Sequence, residues 1–240
     1  MTFTWQAGRQ LANLQKGSTG VSYTYNSDGT RLTKTVNGVQ TSYTWDGSQL
    51  VSQTTTGGDT LYFTYHGSSR VSLEYKGNTY YYLYNLQGDV VGLVDSNGNS
   101  VVSYTYDAWG NPESTAGSMA STLGAANPFR YRGYYYDTES GLYLVGTRYY
   151  DPVVGRWINV DSIISGIGES VSGYNLFAYC FKNPVNMIDE TGNWPSWNDV
   201  GNFFKDVGNG IKKFFTSASK SAEAELSVGV GVGLSKFIKI

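Results

Sequence analysis

The sequence is poor in the side chains that most enzymes use for chemistry. Its 240 residues include one cysteine, Cys180, and one histidine, His66. A single cysteine excludes a disulfide within the chain, and a single histidine leaves neither a cluster for zinc nor a choice of catalytic bases. We therefore expect no metal and no cofactor. An ordinary hydrolytic enzyme is the least favoured class of function.

Charge is also scarce and nearly balanced. Lys and Arg number 17 and Asp and Glu number 19, which gives a formal net charge of −2. Because this balance attracts no polyanion, we expect no nucleic-acid partner. The sequence has no uninterrupted apolar run of about 18 residues, and its first residues lack the charged and apolar parts of an export signal. Its strand-like start predicts a piece of a longer polypeptide, with any export signal upstream.

Glycine and tyrosine are abundant, with 30 and 21 residues. Pairs of aromatic residues separated by one residue recur about every 20 residues, a spacing that indicates a repeat architecture. The separation places both rings on one face of a strand, and polar turn residues with a glycine follow each pair. Each unit therefore predicts a β-hairpin. The pairs are Phe3/Trp5, Tyr23/Tyr25, Tyr43/Trp45, Phe63/Tyr65, Tyr82/Tyr84 and Tyr104/Tyr106.

Hairpins of this kind are marginal alone, so the units must stack edge to edge and bury their aromatic faces jointly. The predicted fold is mainly β, with antiparallel hairpins forming a coiled sheet over residues 1–126. An irregular plug over residues 127–193 and a short helical tail over residues 194–240 follow. Residues 115–126 are expected to be a loop that separates the last repeat from the plug. An unpaired sheet edge is expected near Met1.

An ordered series of short motifs begins at Asn127. It closely resembles the core region that ends the repeats of Rhs and tyrosine–aspartate-repeat (YD-repeat) proteins, a family that includes the C components of insecticidal toxin complexes. The motifs that carry the resemblance are Asn127-Pro-Phe-Arg-Tyr-Arg-Gly133, Arg148-Tyr-Tyr-Asp151-Pro152, Gly155-Arg156-Trp157, Asn183-Pro184 and Asp189-Glu-Thr-Gly192.

The resemblance implies a β-sheet strip that spirals into a hollow shell around a toxic C-terminal polypeptide, with the core region as a plug. The implied partners are upstream YD repeats of a longer chain, the enclosed toxin, an immunity protein and a secretion machinery. The implied location is secreted or at the cell surface. We expect arginines of the core region to stack on Tyr or Trp rings and to pair with Asp137 or Asp151. These are Arg130, Arg132, Arg148 and Arg156.

The resemblance further implies an aspartyl autoprotease, in which two aspartates each open an Asp-Pro-x-Gly-Leu motif and act just after the second motif. Two close carboxylates share one proton, so one serves as base toward water while the other donates a proton. Asp161 and Asp189 stand at the two motif positions. The implied cleavage site is the bond between Asn193 and Trp194.

Both motifs depart from the family pattern. Ser-Ile-Ile follows Asp161, Glu190 replaces the proline after Asp189, and Asn193 replaces the leucine. A Gly/Ser-rich stretch over residues 165–173 also lengthens the interval between the two aspartates. Glu190 offers a further carboxylate. The alternative is that both aspartates only cap turns.

Apolar residues recur at helical spacing beyond Trp194, with three interrupting glycines. This pattern predicts an amphipathic helix packed on the plug or shell, with membrane contact as the alternative because lysines lie among the aromatic residues. The glycine-rich stretch from Ser227 predicts a strand or a membrane-inserting hairpin. The apolar positions are Val200, Phe203, Phe204, Val207, Ile211, Phe214 and Phe215.

The leading functional hypothesis is the C-terminal part of a bacterial Rhs-type scaffold that encloses a toxin and releases it by self-cleavage. The alternative is a wall- or surface-associated adhesin that binds carbohydrate or another cell through its tyrosine-rich strands. Tyrosines on an open sheet face would favour the adhesin, whereas an inward aromatic face would oppose it.

Overall fold

The computed structural model describes residues 1–160, 175, 177–189 and 191–192. Over these residues the chain forms two antiparallel sheets, one of twelve strands and one of four. Within each sheet every strand pairs with its neighbours in sequence, so the large sheet is a continuous series of hairpins. This arrangement confirms the predicted mainly β fold. The predicted helical tail lies outside the described residues.

The large sheet runs from β1 to β12, and the small sheet from β13 to β16. The large sheet contains β1 (Thr2–Gln6), β2 (Gln10–Lys16), β3 (Thr19–Tyr25), β4 (Arg31–Val36), β5 (Val39–Asp46), β6 (Gln49–Thr55), β7 (Thr60–His66), β8 (Ser69–Tyr75), β9 (Asn78–Tyr84), β10 (Val90–Val94), β11 (Ser100–Tyr106) and β12 (Pro112–Ala116). The small sheet contains β13 (Tyr135–Asp137), β14 (Leu142–Val145), β15 (Arg148–Asp151) and β16 (Arg156–Trp157).

Short helical turns occupy Ala120–Gly124, Tyr131–Gly133 and Cys180–Lys182. The prediction of a loop over residues 115–126 is therefore wrong in part, because β12 extends to Ala116 and a helical turn follows. The buried side chain of Leu123 anchors this turn to the core. None of the helices in the described part of the chain is long and apolar enough to cross a membrane.

The aromatic pairs all face the inner side of the large sheet. The first ring of the pairs in β3, β5, β7, β9 and β11 is buried, and the second packs partly buried against the same core. The outer side carries small hydroxyl residues, such as Thr24 and Thr33, whose hydroxyls lie 2.7 Å apart across two strands. The prediction that both rings of a pair share one face is confirmed.

The second aromatic of each pair connects its hairpin to the preceding one. Strand pairing skips one residue in each hairpin, which produces a β-bulge. The skipped residues are Ala12, Leu32, Val51, Val71, Val91 and Glu113. The second aromatic of a pair lies opposite the residue just before the skipped one in its own hairpin. From the second pair onward, its side chain donates a hydrogen bond to the carbonyl of the equivalent residue in the preceding hairpin. These bonds run from Tyr25 to Leu11 at 2.8 Å, Trp45 to Arg31 at 2.8 Å, Tyr65 to Leu50 at 3.1 Å, Tyr84 to Arg70 at 2.9 Å and Tyr106 to Val90 at 2.8 Å.

The residue after the aromatic pair shapes several of the turns. Asp107 follows Tyr106, and one of its carboxylate oxygens accepts hydrogen bonds from the backbone amides of Trp109 at 2.8 Å and Asn111 at 2.9 Å. Asn26 and Asn85, which also follow aromatic pairs, accept hydrogen bonds from the amides two and four residues later in the same way. Asp95 caps the turn after β10 with the same two bonds. The Tyr-Asp sequence thus couples a contact between hairpins to a capped turn.

Residues after 126 cover the inner side of the large sheet. The rings of Phe63 and Phe129 lie 5.0 Å apart, and those of Tyr23 and Tyr149 lie 5.8 Å apart. A second buried cluster lies among Tyr143, Tyr150 and Tyr179. We call residues 127–192, where described, the core segment. The inner side of the sheet is therefore filled by this chain's own core segment.

Candidate functional site in the core segment

Asp137 lies at the centre of a buried ionic contact between the core segment and the large sheet. Its side chain is 0% exposed and accepts a hydrogen bond from Arg31 at 2.6 Å and from Lys34 at 2.9 Å. Lys34 also lies 2.5 Å from a carboxylate oxygen of Glu139. The prediction that core arginines pair with Asp137 is wrong, because its partners are two cations of β4. Both side chains contact Asp137 because they are buried on the inner side of β4.

The ionisation of this cluster follows from its burial and its charges. Burial alone would raise the pKa of Asp137, but Arg31 and Lys34 outweigh it and lower this pKa below its ordinary value. Burial alone would lower the pKa of Lys34, and the attraction of Asp137 raises it instead. The Arg31 guanidinium also lies 4.7 Å from the ring of Tyr135 and 4.8 Å from that of Tyr43. All charges of the cluster therefore have a partner of opposite sign or an aromatic face.

Arg132 joins a turn of the large sheet to the Asn183-Pro184 motif. Its guanidinium donates to the Gln87 carbonyl at 2.6 Å and to the Pro184 carbonyl, and its backbone amide donates to Asp89 at 2.9 Å. The backbone of Arg132 is left-handed, with φ of 53°. This strained conformation points the side chain between two loops that are far apart in sequence.

Arg148 holds the end of the core segment. Its guanidinium lies 3.1 Å from a carboxylate oxygen of Asp189, donates from Nε to the Gly192 carbonyl and stacks 4.0 Å from the Trp157 ring. The hydroxyl of Tyr134 donates to the backbone carbonyl of Asp189 at 2.7 Å. Asp189 is itself buried. A buried cation thus fixes both the side chain of Asp189 and the backbone three residues later.

Two glycines allow this close approach. Gly146 and Gly192 both have positive φ, of 56° and 73°. A Cβ at Gly192 would collide with the Val145 carbonyl, and a Cβ at Gly146 would collide with the Thr191 carbonyl. The backbone at residues 191–192 therefore lies directly against the β14–β15 turn, which only glycine permits.

The expected stacking of the core arginines is confirmed for three of the four. Arg130 lies 4.0 Å from the Tyr104 ring, Arg132 lies 5.1 Å from that of Tyr131, and Arg148 stacks on Trp157 as described above. Arg156 is exposed. The expected pairing of an arginine with Asp151 is wrong. The Asp151 carboxylate instead accepts hydrogen bonds from the backbone amides of Val153 at 2.9 Å and Val154 at 3.3 Å. Asp151 caps a turn, as short acidic side chains commonly do.

The remaining motif residues fix loops against the sheet. The Pro152 carbonyl accepts a hydrogen bond from the Asn111 side chain at 3.1 Å. Gly155 has φ of 68°, and a Cβ there would lie 2.8 Å from the Trp109 ring. The side-chain oxygen of Asn183 accepts a hydrogen bond from the Asn186 side chain at 3.0 Å. Pro152 and Gly155 thus pack the core segment against the β11–β12 turn, whereas the Asn183 bond holds a loop of the core segment itself.

The predicted catalytic pair is placed only in part. Asp189 lies in the Arg148 contact, whereas Asp161, Asn193 and Trp194 lie outside the described residues. Their relation to Asp189 therefore stays a prediction. Within the described ranges, no group of three or more His, Cys, Asp or Glu side chains is arranged to hold a metal ion.

Sequence reasoning missed Arg31 and Lys34. One signal was available, since Lys34 pairs in register with Tyr23, a ring that faces inward. A charged residue opposite an inward ring needs a buried counter-charge. Its identity depends on a residue about a hundred positions later, which no local pattern indicates.

The family of this chain follows from comparison with known proteins. The family model described as Teneurin YD-shell matches residues 71–186. The tRNA3(Ser)-specific nuclease WapA of Bacillus spizizenii is 38% identical over 200 residues, which cover 80% of this chain and 8% of that protein. The chain belongs to the Rhs and YD-repeat family. A second relative within this family is the toxin protein Tse5 of Pseudomonas aeruginosa, 42% identical over 67 residues that cover 28% of this chain and 5% of Tse5.

Solved structures share the fold of the Rhs shell. A Photorhabdus luminescens Tc holotoxin pore matches 81% of this chain and 10% of that chain, with a TM-score of 0.60 and 21% identity. The crystal structure of TcdB2-TccC3-Cdc42 matches 84% of this chain and 10% of that chain, with a TM-score of 0.63 and 21% identity. The chain thus spans a tenth or less of the length of these relatives.

Proposed function

We propose that this chain is the C-terminal part of a bacterial Rhs-type toxin-delivery shell, and that its core segment closes the shell around a C-terminal toxin. The single observation that carries the proposal is Asp137, which is fully buried between Arg31 and Lys34 of the sheet. A core segment bound by buried ion pairs stays in place until those pairs are separated, and separating them is costly. Relatives with toxin names support the same assignment.

The division of the chain predicted from the sequence belongs to this proposal. Residues 1–126 form the YD-repeat sheet, residues 127–193 the plug, and residues 194–240 the variable tail and start of the toxin region. The partners are upstream YD repeats that extend the sheet beyond β1, the enclosed toxin, an immunity protein and a secretion machinery. The location is secreted or at the cell surface.

The adhesin alternative, as formulated for the repeat aromatics, has little support. Those rings face the inner side of the large sheet and pack against the core segment. They are therefore not available to bind a carbohydrate or another cell.

Release by self-cleavage is the finer part of the proposal. Asp189 acts with Asp161 as the acid–base pair, and the chain is cut between Asn193 and Trp194. Two observations support a fixed cleavage position: Arg148 binds both Asp189 and the Gly192 carbonyl, and Gly192 presses on Val145. A substrate backbone held in place against a carboxylate lowers the entropic part of the reaction barrier.

Intact-mass spectrometry of the purified chain tests self-cleavage. We expect fragments that meet between Asn193 and Trp194 in the wild type, and a single full-length mass for Asp189→Asn and for Asp161→Asn. Asp46→Asn, at the exposed last residue of β5, is the control and should cleave like the wild type. A wild-type chain that stays intact would reject self-cleavage and leave the core segment as a closure only.

A further inference from the structure

Large apolar side chains stand exposed at one rim of the molecule. Leu86 is 85% exposed, Val153 81%, Val154 64%, Val185 52% and Phe177 39%. Most large apolar residues in the described part of the chain are buried or half-buried, so exposure of this extent on neighbouring loops marks a candidate interaction surface. We call these five residues the apolar rim.

The loops that carry the apolar rim are held together by hydrogen bonds. The Gln87 side chain donates to the Val185 carbonyl at 2.9 Å, and Arg132 bridges the carbonyls of Gln87 and Pro184. Adjacent residues extend the connection along the rim, since Tyr131 donates to the Ala108 carbonyl at 3.1 Å. The loop of Val153 and Val154 is attached by a hydrogen bond from the Asn111 side chain to the Pro152 carbonyl at 3.1 Å. Phe177 is attached by a bond from the Trp157 amide to its carbonyl at 3.0 Å. The exposed tips are therefore presented by a fixed framework.

Two exposed cations lie next to these loops, Arg156 on β16 and Lys182 at the end of the helical turn Cys180–Lys182. The carboxylates of these loops, Asp107 and Asp151, are half-buried and accept hydrogen bonds from backbone amides. Asp89 is buried beside Arg132. Among the described residues, the exposed charged groups beside the apolar rim are thus mainly basic, with Glu113 on β12 as an exposed acid next to the β11–β12 turn.

The shape of the rim distinguishes between two kinds of partner. A protein interface requires a closely packed patch with a desolvated centre. Here the apolar side chains project from the tips of separate loops, with basic side chains beside them, which suits the interfacial zone of a lipid bilayer. We propose that the apolar rim docks on a membrane surface, with its tips among the acyl chains and with Arg156 and Lys182 at the level of anionic headgroups. This inference does not depend on the proposed enclosure of a toxin.

Co-sedimentation of the full chain with vesicles tests the proposal. The vesicles contain either phosphatidylcholine alone or phosphatidylcholine mixed with phosphatidylglycerol. We expect the wild type to pellet with both, and more strongly with the anionic vesicles. The double variant Leu86→Ser with Val153→Ser should bind about tenfold more weakly, because two apolar tips no longer enter the bilayer. Val39→Ser is the matched control, since Val39 is 50% exposed and lies at the opposite rim.

Three outcomes would overturn the inference. The first is a wild type that pellets with neither vesicle, and the second is a loss in Val39→Ser equal to that in the double variant. The third is binding that the double variant retains in full, which would assign membrane contact to the tail predicted beyond Trp194. A parallel light-scattering measurement covers self-association: a wild-type dimer that the double variant dissociates, without vesicle binding, would make the rim an interface between two copies.

Discussion

At the scale of single residues, Asp137 carries the largest expected effect on stability. Replacing it by asparagine leaves Arg31 and Lys34 buried without their main counter-charge, and breaking a buried pair in this way costs about 3–5 kcal/mol. The free energy of unfolding in urea should fall by this amount for Asp137→Asn. Asp28→Asn, in an exposed turn, should change it by less than about 0.5 kcal/mol. A loss no larger than that of the control would contradict the importance of the buried contact.

The lowered pKa of Asp137 also predicts how stability depends on pH. A carboxyl group with a lower pKa in the folded chain stabilises it above the ordinary value of 3.8 and loses this contribution as pH falls through the folded pKa. We therefore expect the Asp137 contact to persist at mildly acidic pH and to weaken only below 3.8. Urea unfolding at a series of pH values should show a shallower acid decline in Asp137→Asn than in the wild type. Equal slopes would mean that Asp137 does not titrate as the contact requires.

At the scale of elements, neighbouring hairpins are joined by a repeated hydrogen bond from the second aromatic of a pair to the bulge of the preceding hairpin. Tyr106→Phe removes the donor to the Val90 carbonyl and should cost about 1 kcal/mol. Tyr62→Phe, whose ring is exposed on the outer side of the sheet, should be nearly neutral. Thermal unfolding of both variants beside the wild type measures the difference. A neutral Tyr106→Phe would show that ring packing alone joins the hairpins.

The hairpins could be predicted from the sequence because their signals are local. Aromatic pairs two residues apart and the turn residues that follow determine face and reversal within one unit. The partners of Asp137 could not be predicted, because they lie on a strand that is distant in sequence. The helical turn at Ala120–Gly124 was missed for a similar reason, since burial of Leu123 outweighs the loop-forming preference of its small polar neighbours. Motif positions such as Gly192 were identified, but the carbonyl that requires glycine there belongs to another strand.

At the scale of the whole molecule, the large sheet ends at β1 and at β12, and neither strand pairs a further strand on its outer side within the described residues. Open strand edges template association between molecules. We expect the isolated chain to associate as its concentration rises, and Thr4→Lys to reduce this association because a charged side chain opposes edge pairing. Thr44→Lys, an exposed outer position on the interior strand β5, should leave it unchanged. Sedimentation velocity checks both variants, and equal effects would assign association to another surface.

The core segment also fixes the number of strands in one part of the large sheet. It is attached at β4 through Arg31 and at the β9–β10 turn through Asp89, so the number of strands between these two anchors is fixed. One hairpin more or fewer between them would leave one anchor out of reach. Hairpins added before β1 would disturb neither, whereas the core segment also contacts β2 and β3, through Lys16 and Tyr25. The number of hairpins before β1 is therefore free to vary, while the number of strands between Arg31 and Asp89 must stay constant.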